Sequence, residues 1–285
     1  MATPIGHLSD LSPRAARTLC DVDVVAAEDT RVTRVLLQHA GSGARLISVH
    51  AHNERETVER VLGHLREGRS VALVSDAGTP AISDPGHLLV AAVRAAGGQV
   101  VPIPGPSAVT TLLSASGLPA GPFLFEGFLP PKAAARDERL AALARAAGIA
   151  GTTIVFYESP HRVASTLAAM ARAFGDARRV AIGRELTKAF EEIHVGELGG
   201  ACEWLAARPA RARGEFTIAI ARDEATAAPE AAPLAAWASD PRRLLERLLR
   251  DLPVSRAVKL AQELGGLPHR ELYALALELA GDGER

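Results

Sequence analysis

The chain has 285 residues, 48% hydrophobic and 23% charged, with a formal net charge of −1, which suits a soluble globular protein of about two ordinary domains. The near-neutral balance excludes the global basic field of a nonspecific nucleic-acid binder, so any RNA contact must come from a local patch. No signal-peptide pattern is visible and no apolar run reaches the roughly 18 residues of a membrane span, so a cytoplasmic protein without membrane contact is expected.

In chain order, Ser12-Pro13 sets an N-cap before a first-turn proline and opens a helix to about Cys20. Val22–Ala27 reads as a short apolar strand that ends at Glu28-Asp29-Thr30-Arg31. A helix over Val32–His39, a strand over Leu46–Val49 and an amphipathic helix over Glu54–Glu67 follow, the last closed by Gly68. His50 and His52, with Glu54 beyond, alternate as ligands on a strand would. One H-x-H is a weak metal signal, and a structural or RNA-facing role is preferred. Cys20 and Cys202 lie in no C-x-x-C spacing, so neither zinc nor a disulfide is suggested, and no metal is assigned.

Two strands then empty into glycine- and proline-rich loops. Ser70–Val74 leads into Ser75-Asp76-Ala77-Gly78-Thr79-Pro80-Ala81-Ile82-Ser83-Asp84-Pro85-Gly86, and Val100–Ile103 leads into Pro104-Gly105-Pro106-Ser107-Ala108. Apolar runs bounded by turn residues suit buried parallel strands, and open α/β sheets bind ligands at the carboxyl ends of such strands. A phosphate cradle needs backbone N–H donors, whereas these loops hold prolines and place Asp76 and Asp84 where a phosphate would be repelled. A neutral or cationic ligand with ribose hydroxyls and an amino group fits better, and S-adenosylmethionine is such a molecule. The plainer alternative makes Asp84 a cap or turn residue before the Gly86–Ala96 helix, and Ser107 the cap of the Pro106–Ser116 helix.

Residues 1–119 thus form one α/β domain with a mostly parallel sheet. A second α/β domain spans 120–223, with strands at Phe123–Phe128, Thr152–Tyr157, Arg179–Gly183, Glu192–Val195 and Phe216–Ala221. Its helices lie near Ala134–Ala147, Pro160–Phe174 and Gly200–Ala207. Glu224–Ala238, rich in Ala and Pro, reads as a linker, so that residues 224–239 join the second domain to a small helical domain at 240–285. Within that domain Ser255–Leu264 and His269–Leu279 flank a Gly-Gly-Leu-Pro break like a helix-turn-helix. Few basic residues start the second helix, so a plain helical hairpin is the preferred reading.

Eight motifs in order carry a resemblance: Ala2-Thr3-Pro4-Ile5-Gly6, Ala27–Arg31, His52-Asn53-Glu54, Ser75–Pro85, Pro102–Ser107, Glu126-Gly127-Phe128, Tyr157–Arg162 and Arg184–Lys188. Together they closely resemble the bacterial small-subunit ribosomal RNA cytidine-2′-O-methyltransferases, class III S-adenosylmethionine-dependent enzymes of tetrapyrrole-methylase fold. The resemblance implies two α/β domains with the cofactor in the cleft between them, plus the C-terminal helical hairpin, in a homodimer. It implies 2′-O-methylation of a cytidine in 16S ribosomal RNA or in the assembled small ribosomal subunit.

By position, the resemblance implies that Pro4, Ser75, Asp76, Ala77, Gly78, Ile82, Asp84, Ser107, Ala108, Tyr157, Leu186 and Phe216 bind the cofactor. Lys188 would supply a cation or base, with Glu158 or Asp29 as proton acceptor or orienter. Arg31, Lys132, Arg136 and Arg162 would face RNA; for Lys132 and Arg136 a solvated helix face is the alternative. Lys188 gains weight because Lys132 and Lys259 are the only other lysines of the chain. Two departures stand out: Met1 directly precedes the first motif, where the family carries apolar residues that complete a first strand, and His7 stands where the family has Asn. Either the start is late or that strand is clipped, leaving neighbouring backbone groups unpaired at about 1–3 kcal/mol each where buried.

The same fold also methylates tetrapyrrole carbons, but the Gly-rich opening loop and Gly-Gly-Asp-Pro of those enzymes are missing here. A non-enzymatic RNA-binding protein using the C-terminal hairpin would leave both loops unexplained.

Overall fold

Ser12 opens α1 (Pro13–Asp21) as the sequence predicts, its side chain accepting from the Ala15 N–H with Pro13 in the first turn. β1 (Val24–Ala27) is buried along its whole length because it is the middle strand of a three-stranded parallel sheet. Its neighbours are β2 (Arg45–Ser48) and β3 (Val71–Val74). α1 and α2 (Thr30–Ala40) cover one face with Leu19, Leu36 and Leu37, while α3 (Glu54–Arg66) and α4 (His87–Ala95) cover the other with Val61, Leu89 and Val93. A strand buried on both faces loses the alternation of polar and apolar residues, which is why Val-Val-Ala-Ala is uniformly apolar.

This computed structural model describes residues 1–49, 54–222, 240–249, 251–265 and 268–282. His50, His52 and the Glu224–Ala238 linker lie outside the described residues.

The strand expected over Val100–Ile103 does not form. Pro102 has no N–H to give a ladder, and the residues beside this segment offer one bond, from the Ala2 N–H to the Ile103 carbonyl. Residues 1–3 run between β3 and this segment: the Met1 ammonium donates to the Leu73 carbonyl at 2.7 Å, and Thr3 forms an isolated bridge with Gly78. The first motif is therefore not a strand here. Beside Met1 and Ala2 lies a cavity of about 620 Å³ that Leu65, Leu73, Leu89, Val93 and Val101 also line.

α5 (Ala108–Ala115) leads to a second sheet, in the order β4-β5-β8-β6-β7. Its strands are β4 (Phe123–Phe128), β5 (Thr153–Glu158), β6 (Arg179–Arg184), β7 (Glu192–Glu197) and β8 (Phe216–Ile220). Only β4 and β5 pair in parallel; the other three ladders are antiparallel. α6 (Ala133–Ala150), α7 (Val163–Phe174) and α8 (Leu198–Ala206) accompany it, and Leu140, Leu167, Met170 and Leu198 pack with Phe156, Ile182 and Ile218 of the sheet. Another apolar cluster joins Ile5, Val109, Leu112 and Leu186 to Val155, Ala181 and Ala219, so the N-terminal motif and α5 pack against the second sheet. Burying each such side chain is worth about 1.5–3 kcal/mol.

The chain divides into two compact units, Met1–Asp223 and Glu224–Arg285, and the first unit holds both sheets. The second has its own core of Leu244, Leu245, Ala257, Val258, Leu272 and Ala276. Its described residues form three helices, α9 (Pro241–Leu248), α10 (Val254–Gly265) and α11 (His269–Asp282), one more than a hairpin. Asp240 caps α9 by accepting from the Arg243 N–H, with Pro241 in the first turn.

Candidate active site

Within the first unit a cleft of about 450 Å³ opens where the loops after β1 and β3 face the ends of β4, β5 and β8. Of the residues expected at the cofactor, all but Pro4 and Ser75 are among those lining it. Pro4 stands beside Ile5, which does line the cleft. Ser75 is buried behind it and donates to the Gly78 carbonyl at 3.2 Å, holding the loop closed.

Two loops of this cleft are strained. Ala81, Ser83, Glu185 and Thr187 are the four non-glycine residues with left-handed backbone among the described residues. Left-handed backbone costs an ordinary residue about 1–2 kcal/mol, and such strain concentrates at functional sites. Gly127 shows how the first loop is accommodated: β4 bulges between Phe125 and Gly127, φ at Gly127 is 74°, and an added Cβ would lie 2.8 Å from the Ser83 hydroxyl. The second loop depends on Gly6 in the same way, since a Cβ there would meet the Lys188 side chain at 2.5 Å and the Leu186 carbonyl at 3.0 Å.

Five carboxylates line the cleft, those of Glu28, Asp76, Asp84, Glu158 and Glu215. Among the described residues that line it there is no Lys, Arg or His. Asp76 accepts from the Asp29 N–H at 2.8 Å, tying the β3 loop to the end of β1. Asp84 is not a cap: α4 begins after Gly86 with no side-chain capping bond. Burial, reinforced by the neighbouring Glu28 carboxylate, pushes Asp84 up to about 6. Ser107 precedes α5 without a capping bond, which leaves its hydroxyl at the cleft. Tyr157 packs edge-on against Phe125 and Phe128, and burial followed by the Asp84 charge pushes its phenol up, keeping it protonated.

The expected catalytic residues fall in three different settings. Glu158 lines the cleft, but its oxygens already accept from the Ser159 N–H at 2.8 Å and the Thr166 hydroxyl at 2.7 Å, with Arg162 at 3.3 Å. Such a carboxylate orients the turn after β5; it is not placed as a proton acceptor. Asp29 caps α2 and is gripped by the Arg31 side chain, which holds its carboxyl down at about 2. So weak a base does not fit the proton-acceptor role, and Asp29 is absent from the lining. Lys188 lies just outside the lining residues, its ammonium 3.0 Å from Glu185 and 2.9 Å from the lining residue Glu215. Burial lowers it, but hydrogen bonds to Glu215 and Glu185 outweigh that and raise it, so Lys188 remains a cation. That excludes the base role while keeping the cationic one.

The residues expected at RNA also divide. Arg31 is paired with Asp29 and 89% exposed, and Lys132 is exposed. Arg136 and Arg162 need correction. Arg136 is 7% exposed and donates to the Ser165 hydroxyl, and Arg162 donates to the Leu129 carbonyl at 2.8 Å. Both guanidiniums are drawn inward by these acceptors at the junction of β4, α6 and α7, although the Nε of each is buried without a hydrogen-bond partner. Sequence reasoning missed Glu28, Phe128, Glu215 and Thr217 as lining residues. Glu28 had a signal, its place at the carboxyl end of β1.

The family model for tetrapyrrole (corrin/porphyrin) methylases matches residues 2–202, and that for the RsmI C-terminal HTH domain matches residues 235–280. The chain is 47% identical over 273 residues to "Ribosomal RNA small subunit methyltransferase I" of Xylella fastidiosa strain Temecula1, covering 96% of each chain. It is 43% identical to the protein of that name from Escherichia coli O157:H7, covering 98% of this chain and 94% of the relative. Among solved structures, a cobalt precorrin-4 methyltransferase of cobalamin biosynthesis has the same fold, with TM-score 0.60 and 17% identity over 78% of this chain and 92% of that one. The chain belongs to the tetrapyrrole methylase family and, within it, to the ribosomal RNA small subunit methyltransferase I group.

Proposed function

We propose that the protein transfers a methyl group from S-adenosylmethionine to the 2′-hydroxyl of a cytidine in small-subunit ribosomal RNA. The observation that carries this is the cleft itself: acidic, partly apolar and without a cation among its described lining residues, built from strained loops in a chain of this family. Its donor set fits an adenosyl sulfonium. Carboxylates suit a positive centre and hydroxyls, apolar side chains such as Ile82, Leu186 and Phe216 suit a purine, and phosphate ligands are disfavoured. When bound, the cofactor supplies an electrophilic methyl group. The protein must then align the ribose oxygen, which can supply about 7–11 kcal/mol, and manage one proton and one developing negative charge.

Lys188, fixed between Glu185 and Glu215 at the edge of the cleft, is the cation that meets the developing oxyanion. Asp84 is the lining carboxylate whose proton affinity best suits accepting the hydroxyl proton. Residues 1–119 and 120–223 act as the two catalytic domains of this reading, and the enzyme acts as a homodimer. RNA identity would be read chiefly from folded shape.

Purified protein incubated with methyl-labelled cofactor and unmodified small subunits should place label on one cytidine ribose, found by nucleoside mass spectrometry. Methylation of uroporphyrinogen or precorrin with small subunits untouched would overturn the reading.

A further inference from the structure

β4 is an edge strand of the second sheet, and its bulge decides which face Phe128 occupies. Side chains alternate along a regular strand, so Phe125 and Phe128, at odd spacing, would face opposite sides. The register shift between Phe125 and Gly127 cancels this. Phe125 stands opposite Val155 and Phe128 opposite Tyr157, which share one face of β5. Phe128 thereby joins the lining of the cleft, where a regular strand would have turned it away. Gly127, with a φ of 74°, accommodates the bulge.

A small aromatic cluster results. Phe125 and Tyr157 pack edge-on with centroids 4.8 Å apart, and Phe128 packs edge-on against Tyr157 at 5.7 Å. Phe125 and Tyr157 are half-buried, whereas Phe128 is 56% exposed. Among the described lining residues, Ile82 and Phe128 are the exposed large hydrophobic side chains, and only Phe128 carries a ring. A phenyl group braced by a second ring and open to a cleft is a stacking surface for a flat ligand.

We propose that Phe128 stacks on the base of the target nucleotide and so positions its ribose, an inference that rests on the RNA methylation reading. The base is bonded to the ribose carbon next to the one that bears the reacting oxygen. A surface that grips the base must therefore adjoin the cleft where methyl transfer occurs, and Phe128 does. Unstacked bases of single-stranded RNA are held on aromatic side chains in this way. The donor's adenine is the competing flat group. Leu186 and Phe216, both buried, offer it an apolar wall, which leaves the open ring to a substrate that arrives from solvent. Lys132, exposed a few residues beyond Phe128, supplies a cation for the RNA backbone.

Steady-state methylation of unmodified small subunits at saturating S-adenosylmethionine, with calorimetric titration of the donor, tests this on the full chain. Phe128→Leu keeps apolar bulk and removes the ring. It should lower kcat/KM for small subunits by about tenfold or more, equivalent to about 1.4 kcal/mol. Donor affinity and the urea unfolding midpoint should stay at wild-type values, because the ring is more than half exposed. Phe128→Tyr and Phe128→Trp should restore most of kcat/KM, since either ring can stack, whereas a bulkier indole would not rescue a packing role. Unchanged kcat/KM in Phe128→Leu, or a loss that neither ring restores, would overturn the inference. A fall in donor affinity that matches the fall in kcat/KM would give the ring to the adenine and overturn it too, leaving the methyltransferase reading intact. Wild-type protein that binds the donor but leaves small subunits unmethylated would remove the RNA reading and this inference with it.

Discussion

At the scale of single residues, Lys188 shows how structure sharpens a sequence expectation. Its scarcity and position after a strand made it a candidate for cation or base, and the two glutamates around its ammonium retain only the cation. Lys188→Met should lower turnover on the order of 10²-fold with donor affinity little changed. Lys188→Arg should recover part of the loss, since a planar guanidinium cannot repeat a point contact between two carboxylates. Methyl incorporation at saturating donor checks both, and full activity in Lys188→Met would remove it from the chemistry. Asp84 gives a stability prediction with a defined sign. Its folded value of about 6 lies above the ordinary 3.8, so the folded state prefers the protonated form. The stability this provides is full below about pH 4 and is lost as pH rises through 6. Asp84→Asn should therefore match wild type in unfolding free energy near pH 4 and exceed it above pH 6.5, by about 1–2 kcal/mol once solvent screening is allowed for. A constant difference across that range would contradict the shift. Arg136 and Arg162 mark what stayed hidden: a sequence shows a guanidinium, but whether it meets solvent or a buried carbonyl depends on strands and helices distant in the chain.

At the scale of elements, legibility followed locality. The Ser12 cap, the apolar β1 and the bounds of β4 rest on neighbours in sequence, and the expected β4 coincides with the observed Phe123–Phe128. Val100–Ile103 was apolar enough to read as a strand, yet a strand needs a partner with free N–H and carbonyl groups in register. The adjoining N-terminal residues supply one bond and leave a cavity, information that lies outside those four residues. Asp84 and Ser107 were ambiguous between cap and cleft because helix starts and ligand loops use the same residue types. Gly127 offers a test of how one element shapes another. Its left-handed φ and the nearby Ser83 hydroxyl mean that Gly127→Ala must strain the β4 bulge and displace the loop bearing Asp84. The expected cost is about 1–2 kcal/mol in denaturant unfolding, with donor affinity reduced at least several-fold. Unchanged affinity alongside the stability loss would show that the bulge does not position the loop.

For the molecule as a whole, the two units divide the work that ribosomal RNA methylation demands. The described residues that line the cleft belong to Met1–Asp223, and the helical unit has a core of its own. The plain-hairpin reading of that unit meets a third helix and a match to an HTH-type domain at residues 235–280. With a net charge of only −1 across the chain, attraction to RNA has to be local. Arg256 and Lys259 on α10 and Arg270 at the start of α11 are exposed, which places three cations along one helical pair. A contact to phosphate is paid for in released counterions, so its signature is salt dependence and not base preference. In the full chain, replacing all three by Gln should leave donor affinity unchanged. It should weaken binding to small-subunit RNA and flatten the slope of log affinity against log salt by about 2, given roughly 0.7–0.9 per lost phosphate contact. Turnover at saturating RNA should stay near wild type, because the cleft is intact. An unaltered salt slope would return the unit to a packed helical bundle without RNA contact and shift the electrostatic anchor to exposed cations of the first unit, Lys132 and Arg31 among them.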